Sequence, residues 1–323
     1  MDIILQITLL IVGFLLLIKG ADWLVDGASS VAANFKVSKL LIGLTIVAFG
    51  TGAPELAVSF SSLINGNTDI LLGNVIGSNI INVLLLVGIA AVIRPIKIKK
   101  DTVSKELPLL LLISTALIIL FLDVNLTGAI SNVFSRSDAL ICLLLFSIFL
   151  YYLISLAQKD KKEAKIVEKP KYSLIKSFVF TGLGLAGVIA GSELVVNSAS
   201  TIATSIGISE RIISLTVIAF GTSLPELITT ITAAKKGESD LLVGNIVGSN
   251  IFNICVVLAL PIAISGGISP ASFEAIDLIM FIASALIIGI LAHRGHDINR
   301  AEGILMLIIF AIYYGYVFYG VLT

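Results

Sequence analysis

Long apolar runs, broken by short polar or charged segments, organise this chain, and they predict helices that cross a membrane. About 20 helical residues span a bilayer core, and only a helix or a closed barrel pairs its backbone groups there. By that measure the runs predict ten spans, at about 3–25, 40–64, 70–93, 107–122, 137–156, 174–198, 211–235, 241–264, 275–292 and 303–321. The chain also repeats itself. Residues 48–56 read AFGTGAPEL and 219–227 read AFGTSLPEL, an offset of 171 that holds through GNVIGSN at 73–79, GNIVGSN at 244–250, and on to Asn82 and Asn253. Each repeat therefore holds five spans, and an odd number turns the second copy over in the membrane. The expected fold is all-α and integral to the membrane, with ten transmembrane helices in two inverted-topology five-helix repeats, 1–156 and 174–323, joined by a linker at 157–173. Gly20, Ala28 and Ser29 match Gly191, Ala199 and Ser200, and Asp22 matches Glu193. The first run is thus the counterpart of an internal helix, expected to be retained rather than removed as a signal peptide.

Charge supports this count. With alternate numbering of the loops, one side carries Lys36, Lys39, Arg94, Lys97, Lys99, Lys100, Lys105, the linker, Lys235, Lys236, Arg294 and Arg300, and the other only Arg136 and Arg211. The basic side is expected in the cytoplasm, with both termini outside. Lys19 is expected to extend toward the cytoplasmic headgroups. Composition then removes other classes. At 57% hydrophobic, 13% charged and mean hydropathy +1.08, this is no soluble domain. No phosphate-binding loop, nucleophile–base pair or cofactor motif is present, which argues against an ATP-driven pump or an enzyme; no nucleic-acid partner, cofactor or obligate protein partner is indicated. Cys142 and Cys255 lie in apolar runs and read as buried residues, and His293 and His296 as loop residues. The mixed-charge segment from Ala157 to Lys171 reads as a solvated linker.

The chemistry lies in the duplicated motifs. Glu55 and Glu226 stand inside apolar spans, where a carboxylate is costly and marks function. Pro54 lacks an N–H, so the Gly50 carbonyl loses its helical donor, and Gly50 and Gly52 weaken the helix further. Backbone opened at that depth has to face protein or a wet cavity. Its carbonyls are hard donors, and Ala48, Thr51 and Glu55 share one helix face. Ala219, Thr222, Ser223, Pro225 and Glu226 repeat the arrangement. Ser78 with Asn82, and Ser249 with Asn253, add polar stripes beside small-residue packing at Gly73, Gly77, Gly244 and Gly248. Two carboxylates with hydroxyl, amide and carbonyl oxygens suit Ca²⁺, which takes six to eight oxygens at about 2.3–2.6 Å. One Ca²⁺, two Na⁺ or two protons each balance the two charges. Asp69 and Asp240 suit helix N-termini, and Asp22, Asp26 and Glu193 read as interfacial groups, with an ion vestibule as the alternative.

At these motifs the chain resembles the cation/Ca²⁺ exchanger superfamily, most closely its prokaryotic Na⁺/Ca²⁺ exchangers. The resemblance covers essentially the whole chain and is most specific at GTGAPEL, GTSLPEL and the paired GNxxGSN segments. It implies electrogenic, alternating-access exchange of several Na⁺ for one Ca²⁺, with spans one and six sliding across a more rigid core. It further implies that Glu55 and Glu226 bind Ca²⁺ and share in Na⁺ binding. Thr51, Thr222 and the Ala48 and Ala219 carbonyls would complete the coordination, and Ser78 and Ser249 would serve flanking Na⁺ sites. Ser223 has its motif hydroxyl, whereas the first copy has Gly52, which bears on Na⁺ affinity and stoichiometry. Asn253, aspartate in the K⁺-dependent branch, favours K⁺-independent exchange. The alternative is Ca²⁺/H⁺ antiport through the same two glutamates, and a passive channel is a third reading.

Overall fold

The computed structural model describes residues 3–128, 131–163, 169–206, 219–268 and 275–322. Its long helices are α1 (Ile3–Phe35), α2 (Lys39–Thr51), α3 (Ala53–Ile64), α4 (Thr68–Ile93), α5 (Lys100–Leu120), α6 (Arg136–Glu163), α7 (Leu174–Ser205), α8 (Leu224–Lys236), α9 (Ser239–Ser265), α10 (Ala275–Gly295) and α11 (Arg300–Leu322), with a short helix at Asp123–Thr127. Among the described residues, eight helices are long and apolar enough to cross a bilayer, and α2 with α3, bent by 42° where Gly52 interrupts them, make a ninth. The expected span at 211–235 is described only from 219, as the turn Ala219–Gly221 and α8; its earlier part lies outside the described residues. Helix α1 runs about three turns and α7 about two turns past the expected ends because their extensions still bury Ala28, Val31 and Ala32, and Ala203.

Packing divides the chain into two compact units, each drawing on both repeats: Met1–Pro54 with Ala157–Asn245, and Glu55–Leu156 with Ile246–Thr323.

In the first unit, α1 and α7 lie antiparallel in backbone contact. Glycines recur every seven residues, at 13, 20 and 27 on α1 and at 184 and 191 on α7, which keeps one narrow face on the partner. A Cβ on Gly184 would stand 2.3 Å from Leu24 N, one on Gly20 2.7 Å from Val188 N, and one on Gly191 2.7 Å from Leu17 N. Only hydrogen fits, and the close approach supplies the van der Waals contact that lipid tails cannot outcompete. Exchanging repeats turns the contact of Gly13 with Gly191 into that of Gly184 with Gly20, and both occur. Repeat mates packed head to tail in this way are what an inverted repeat requires. At one end of the unit Lys236 Nζ lies 2.8 Å from Asp26 Oδ1 and 3.2 Å from Asp22 Oδ1, and Lys171 Nζ lies 2.6 Å from Asp26 Oδ2. Asp22 and Asp26 are therefore ion-paired polar groups. Asp26 also holds the exposed Lys171 ammonium above its ordinary pKa, by hydrogen bonding and by charge. The linker ends are anchored here too: Asp160 accepts the Ser38 N–H at 2.8 Å, and Asn34 donates to Tyr172 O at 3.0 Å.

The second unit centres on α4, whose span is 72% buried against 17% for the lipid-facing α11. Gly88 and Gly303 let α4 and α11 touch, a Cβ on Gly303 falling 2.8 Å from Gly88 O. Two tiny antiparallel ladders clasp the connections: β1 (Ile96–Lys97) pairs with β4 (Asp297–Ile298), and β2 (Phe134–Ser135) with β3 (Gly267–Ile268). Each joins a connection of one repeat to a connection of the other. Helices α6 and α11 both start with reciprocal caps. Ser135 N–H donates to Asp138 at 2.7 Å and Asp138 N–H returns to Ser135 Oγ at 3.3 Å; Asn299 and Glu302 do the same at 2.9 and 3.1 Å. Outward side chains such as Ile304, Leu305, Ile308 and Ile312 are exposed and apolar, as a lipid-facing surface requires. Cys142 and Cys255 are buried free thiols, as their apolar surroundings predict.

Candidate functional site

Within the first unit the opened backbone is bonded in a way that differs between the copies. Pro225 is in the first turn of α8 and cannot donate to Gly221 O. Ser192 Oγ on α7 donates to that carbonyl instead, at 2.9 Å. The repeat mate of Ser192 is Ala21, so the Gly50 carbonyl has no corresponding hydroxyl. At the first break Gly52 N–H donates to Ala48 O at 3.0 Å, leaving that carbonyl a second lone pair.

Glu226 is 2% exposed, Thr51 and Ala48 are fully buried, and Ser223, which precedes α8, is buried beside them in sequence. The Thr51 hydroxyl donates to Val47 O at 3.0 Å and lies 3.5 Å from Asn245 Oδ1, with the Glu226 carboxyl close by. Glu226 Oε2 has no hydrogen-bond partner among the described residues. Thr222 is half-buried next to Gly221, and Ala219 opens the short turn before it.

Within the second unit Glu55 is 1% exposed in the first turn of α3. Its backbone carbonyl accepts from Asn74 Nδ2 at 3.0 Å, and the same amide nitrogen reaches Ser59 Oγ at 3.2 Å. Ser78, Asn82, Ser249 and Asn253 are all buried. Asn82 Nδ2 donates to Asn250 Oδ1 at 3.0 Å, which directs the Asn82 oxygen elsewhere. Asn82 Oδ1, Ser249 Oγ and Asn253 Oδ1 have no hydrogen-bond partner among the described residues. Wider π-helical turns occupy Ile81–Val87 and Asn253–Leu258. Such turns re-aim side chains and are common at functional sites; here they coincide with the two repeat-related asparagines. Asp69 and Asp240 are in the first turns of α4 and α9, where an acid is favourable, although neither is the residue that begins its helix.

Buried oxygens are hydrogen-bonded in nearly all proteins, and exceptions point to an absent ion or water. One such oxygen at a helix broken by proline, and others beside π-helical turns in apolar helices, define a membrane transporter of hard cations. The chain matches the family model described as sodium/calcium exchanger protein over residues 5–155 and 176–319. It is 36% identical over 312 residues to the inner membrane protein YrbG of Escherichia coli, covering 94% of each chain. It is 31% identical over 347 residues to the sodium/calcium exchanger MaX1 of Methanosarcina acetivorans, covering 96% of this chain and 98% of that one. A structure of the sodium-calcium exchanger NCX_Mj, soaked with 2.5 mM Na⁺ and 1 mM Sr²⁺, superposes with a TM-score of 0.83 at 33% identity, over 97% of this chain and 99% of that one. The chain belongs to the sodium/calcium exchanger family. It is a multi-pass, all-α membrane antiporter of ten transmembrane helices in two inverted-topology repeats, and not an enzyme.

Sequence reasoning missed Ser192, Asn74, Asn245 and Asn250. The three asparagines stand in the duplicated GNxxGSN segments and carried a signal. Ser192 has no hydroxyl in its repeat mate and carried none.

Proposed function

We propose that the protein exchanges Na⁺ for Ca²⁺ by alternating access, electrogenically and without K⁺. Glu55 and Glu226 supply the charge that balances Ca²⁺. Thr51, Thr222 and the Ala48 and Ala219 carbonyls complete its coordination, and Ser78, Ser249, Ser223, Asn82 and Asn253 serve the Na⁺-occupied state. The observation that carries this reading is the set of buried oxygens lacking a hydrogen-bond partner at Asn82, Glu226, Ser249 and Asn253. Three of these four are neutral, and neutral oxygens beside a carboxylate suit Na⁺ and Ca²⁺, whereas a proton needs only a carboxylate. The relatives named as sodium/calcium exchangers support the same assignment. A neutral amide at 253 supports K⁺ independence. In this reading the two repeats, 1–156 and 174–323, are joined by a cytoplasmic linker at 157–173, with the basic loops on the same side and both termini outside.

The test is ⁴⁵Ca²⁺ uptake into proteoliposomes under imposed Na⁺, K⁺ or H⁺ gradients. An outward Na⁺ gradient alone drives uptake; with three or more Na⁺ leaving per Ca²⁺ entering, net positive charge moves out, so an inside-negative potential slows uptake and an inside-positive one speeds it. Uptake driven by H⁺ and indifferent to Na⁺ establishes the Ca²⁺/H⁺ alternative; uptake with no counter-ion establishes a channel.

A further inference from the structure

Asn245 has no assigned role, yet the packing delivers it to Thr51. A Cβ on Gly43 would stand 2.5 Å from Leu241 O and 2.9 Å from Asn245 N, and one on Gly244 would stand 2.4 Å from Leu40 O. This glycine-on-glycine contact brings the start of α9 against α2 within the first unit. Asn245 is 1% exposed, and its Nδ2 has no hydrogen-bond partner among the described residues. Thr51 Oγ1 carries one proton but has two acceptors in reach, Val47 O at 3.0 Å and Asn245 Oδ1 at 3.5 Å, with the Glu226 carboxyl close by. The repeat mate Asn74 is used differently, donating to Glu55 O and Ser59 Oγ. Gly73, the mate of Gly244, has nothing within 4 Å of its Cβ position among the described residues. Among the described residues the Nδ2 of Asn245 thus differs from that of Asn74, while the mates of Leu40 and Gly43, at 211 and 214, lie outside those residues.

We propose that Asn245 is a positioning residue for Thr51 and sets the preference between Na⁺ and Ca²⁺; the proposal rests on the exchange reading above. A hydroxyl that coordinates a cation turns a lone pair toward it and gives its proton to an acceptor on the far side. Asn245 Oδ1 is one such acceptor. When the cation leaves, the carboxamide turns and donates Nδ2–H to Thr51 Oγ1, which frees the Thr51 proton for Glu226. The two ends of a carboxamide are nearly the same shape, so the turn needs no repacking. Ca²⁺ is held chiefly by carboxylate charge. Na⁺, with half the charge, depends proportionately more on how well a neutral oxygen is aimed.

Na⁺ and Ca²⁺ dissociation constants, measured by calorimetry on the purified full-length protein, test this in wild type, Asn245→Leu, Thr51→Val and the double variant. Asn245→Leu is expected to weaken Na⁺ about tenfold and Ca²⁺ about twofold or less, and the double variant to bind Na⁺ no worse than Thr51→Val alone. Equal weakening of both ions, additive losses in the double variant, or unchanged Na⁺ binding would each overturn the proposal. If Asn245→Leu does not fold, Asn245→Ala carries the same comparison. Glu226→Gln separates the two levels of inference. Loss of both ions there with an inert Asn245→Leu defeats only the role of Asn245, whereas retention of both ions defeats the exchange reading.

Discussion

Replacing Ser192 with alanine isolates one hydrogen bond that holds the second broken helix. The Ser192 hydroxyl is 4% exposed and bonds Gly221 O at 2.9 Å, the carbonyl that Pro225 cannot serve. Alanine differs from serine by a single oxygen, so almost no cavity forms, and the cost is that of a buried carbonyl without a donor, about 1–3 kcal/mol. At roughly 2–4 °C per kcal/mol, the value for chains of 150–250 residues, the melting temperature in detergent should fall by about 2–12 °C. Circular dichroism at 222 nm reads this directly. The mirror change Ala21→Ser provides the comparison: the first copy already folds without this donor, so its melting temperature should move much less. Ser192→Ala melting together with wild type would refute the account of how the broken helix is held.

Other outcomes follow from the same structure. Gly184→Ala would place its Cβ 2.3 Å from Leu24 N, force α1 and α7 apart, and cost about 1–3 kcal/mol by overpacking, read as a lower melting temperature; Gly182→Ala, with nothing within 4 Å, serves as its control. Lys171→Ala should cost less than about 1 kcal/mol, because Lys171 is 61% exposed. Since Asp26 raises the Lys171 pKa from 10.5, that contribution is present in full below pH 10.5 and is lost as pH rises through the higher folded value, so the difference between variant and wild-type stability should vanish in strong alkali and in about 1 M salt. Ser223→Ala should weaken Na⁺ activation of exchange more than Ca²⁺ affinity, by a cost of roughly 1–3 kcal/mol for the lost buried hydroxyl; unchanged Na⁺ dependence would make that serine structural.

The spans and their inversion were legible because bilayer thickness imposes a length and the repeat imposes a second, independent count. Even the polar candidates Glu55, Glu226, Ser78 and Asn253 announced themselves, as costly residues placed twice in apolar surroundings. Long-range partners did not. Which hydroxyl serves Gly221 O depends on α7 lying alongside, and Ser192 has no period or duplicate to betray it. The seven-residue glycine spacing of α1 and α7 was present in the letters, but its use required knowing that these two helices meet. The π-helical turns at Ile81–Val87 and Asn253–Leu258 change hydrogen-bond register without changing residue type. The two-residue ladders are too short to leave an alternating pattern. Helix ends were misjudged where buried residues such as Val31 extend beyond the apolar run.

Ca²⁺ flux through Glu55→Gln and Glu226→Gln tests the central claim most directly. Glutamine keeps the shape and an acceptor oxygen of each buried side chain while removing one of the two charges that balance the ion. Each purified, folded variant in Na⁺-loaded proteoliposomes should lose ⁴⁵Ca²⁺ uptake that the wild type sustains. Near-normal uptake by either variant would contradict the assignment of the two glutamates as the ion-binding carboxylates.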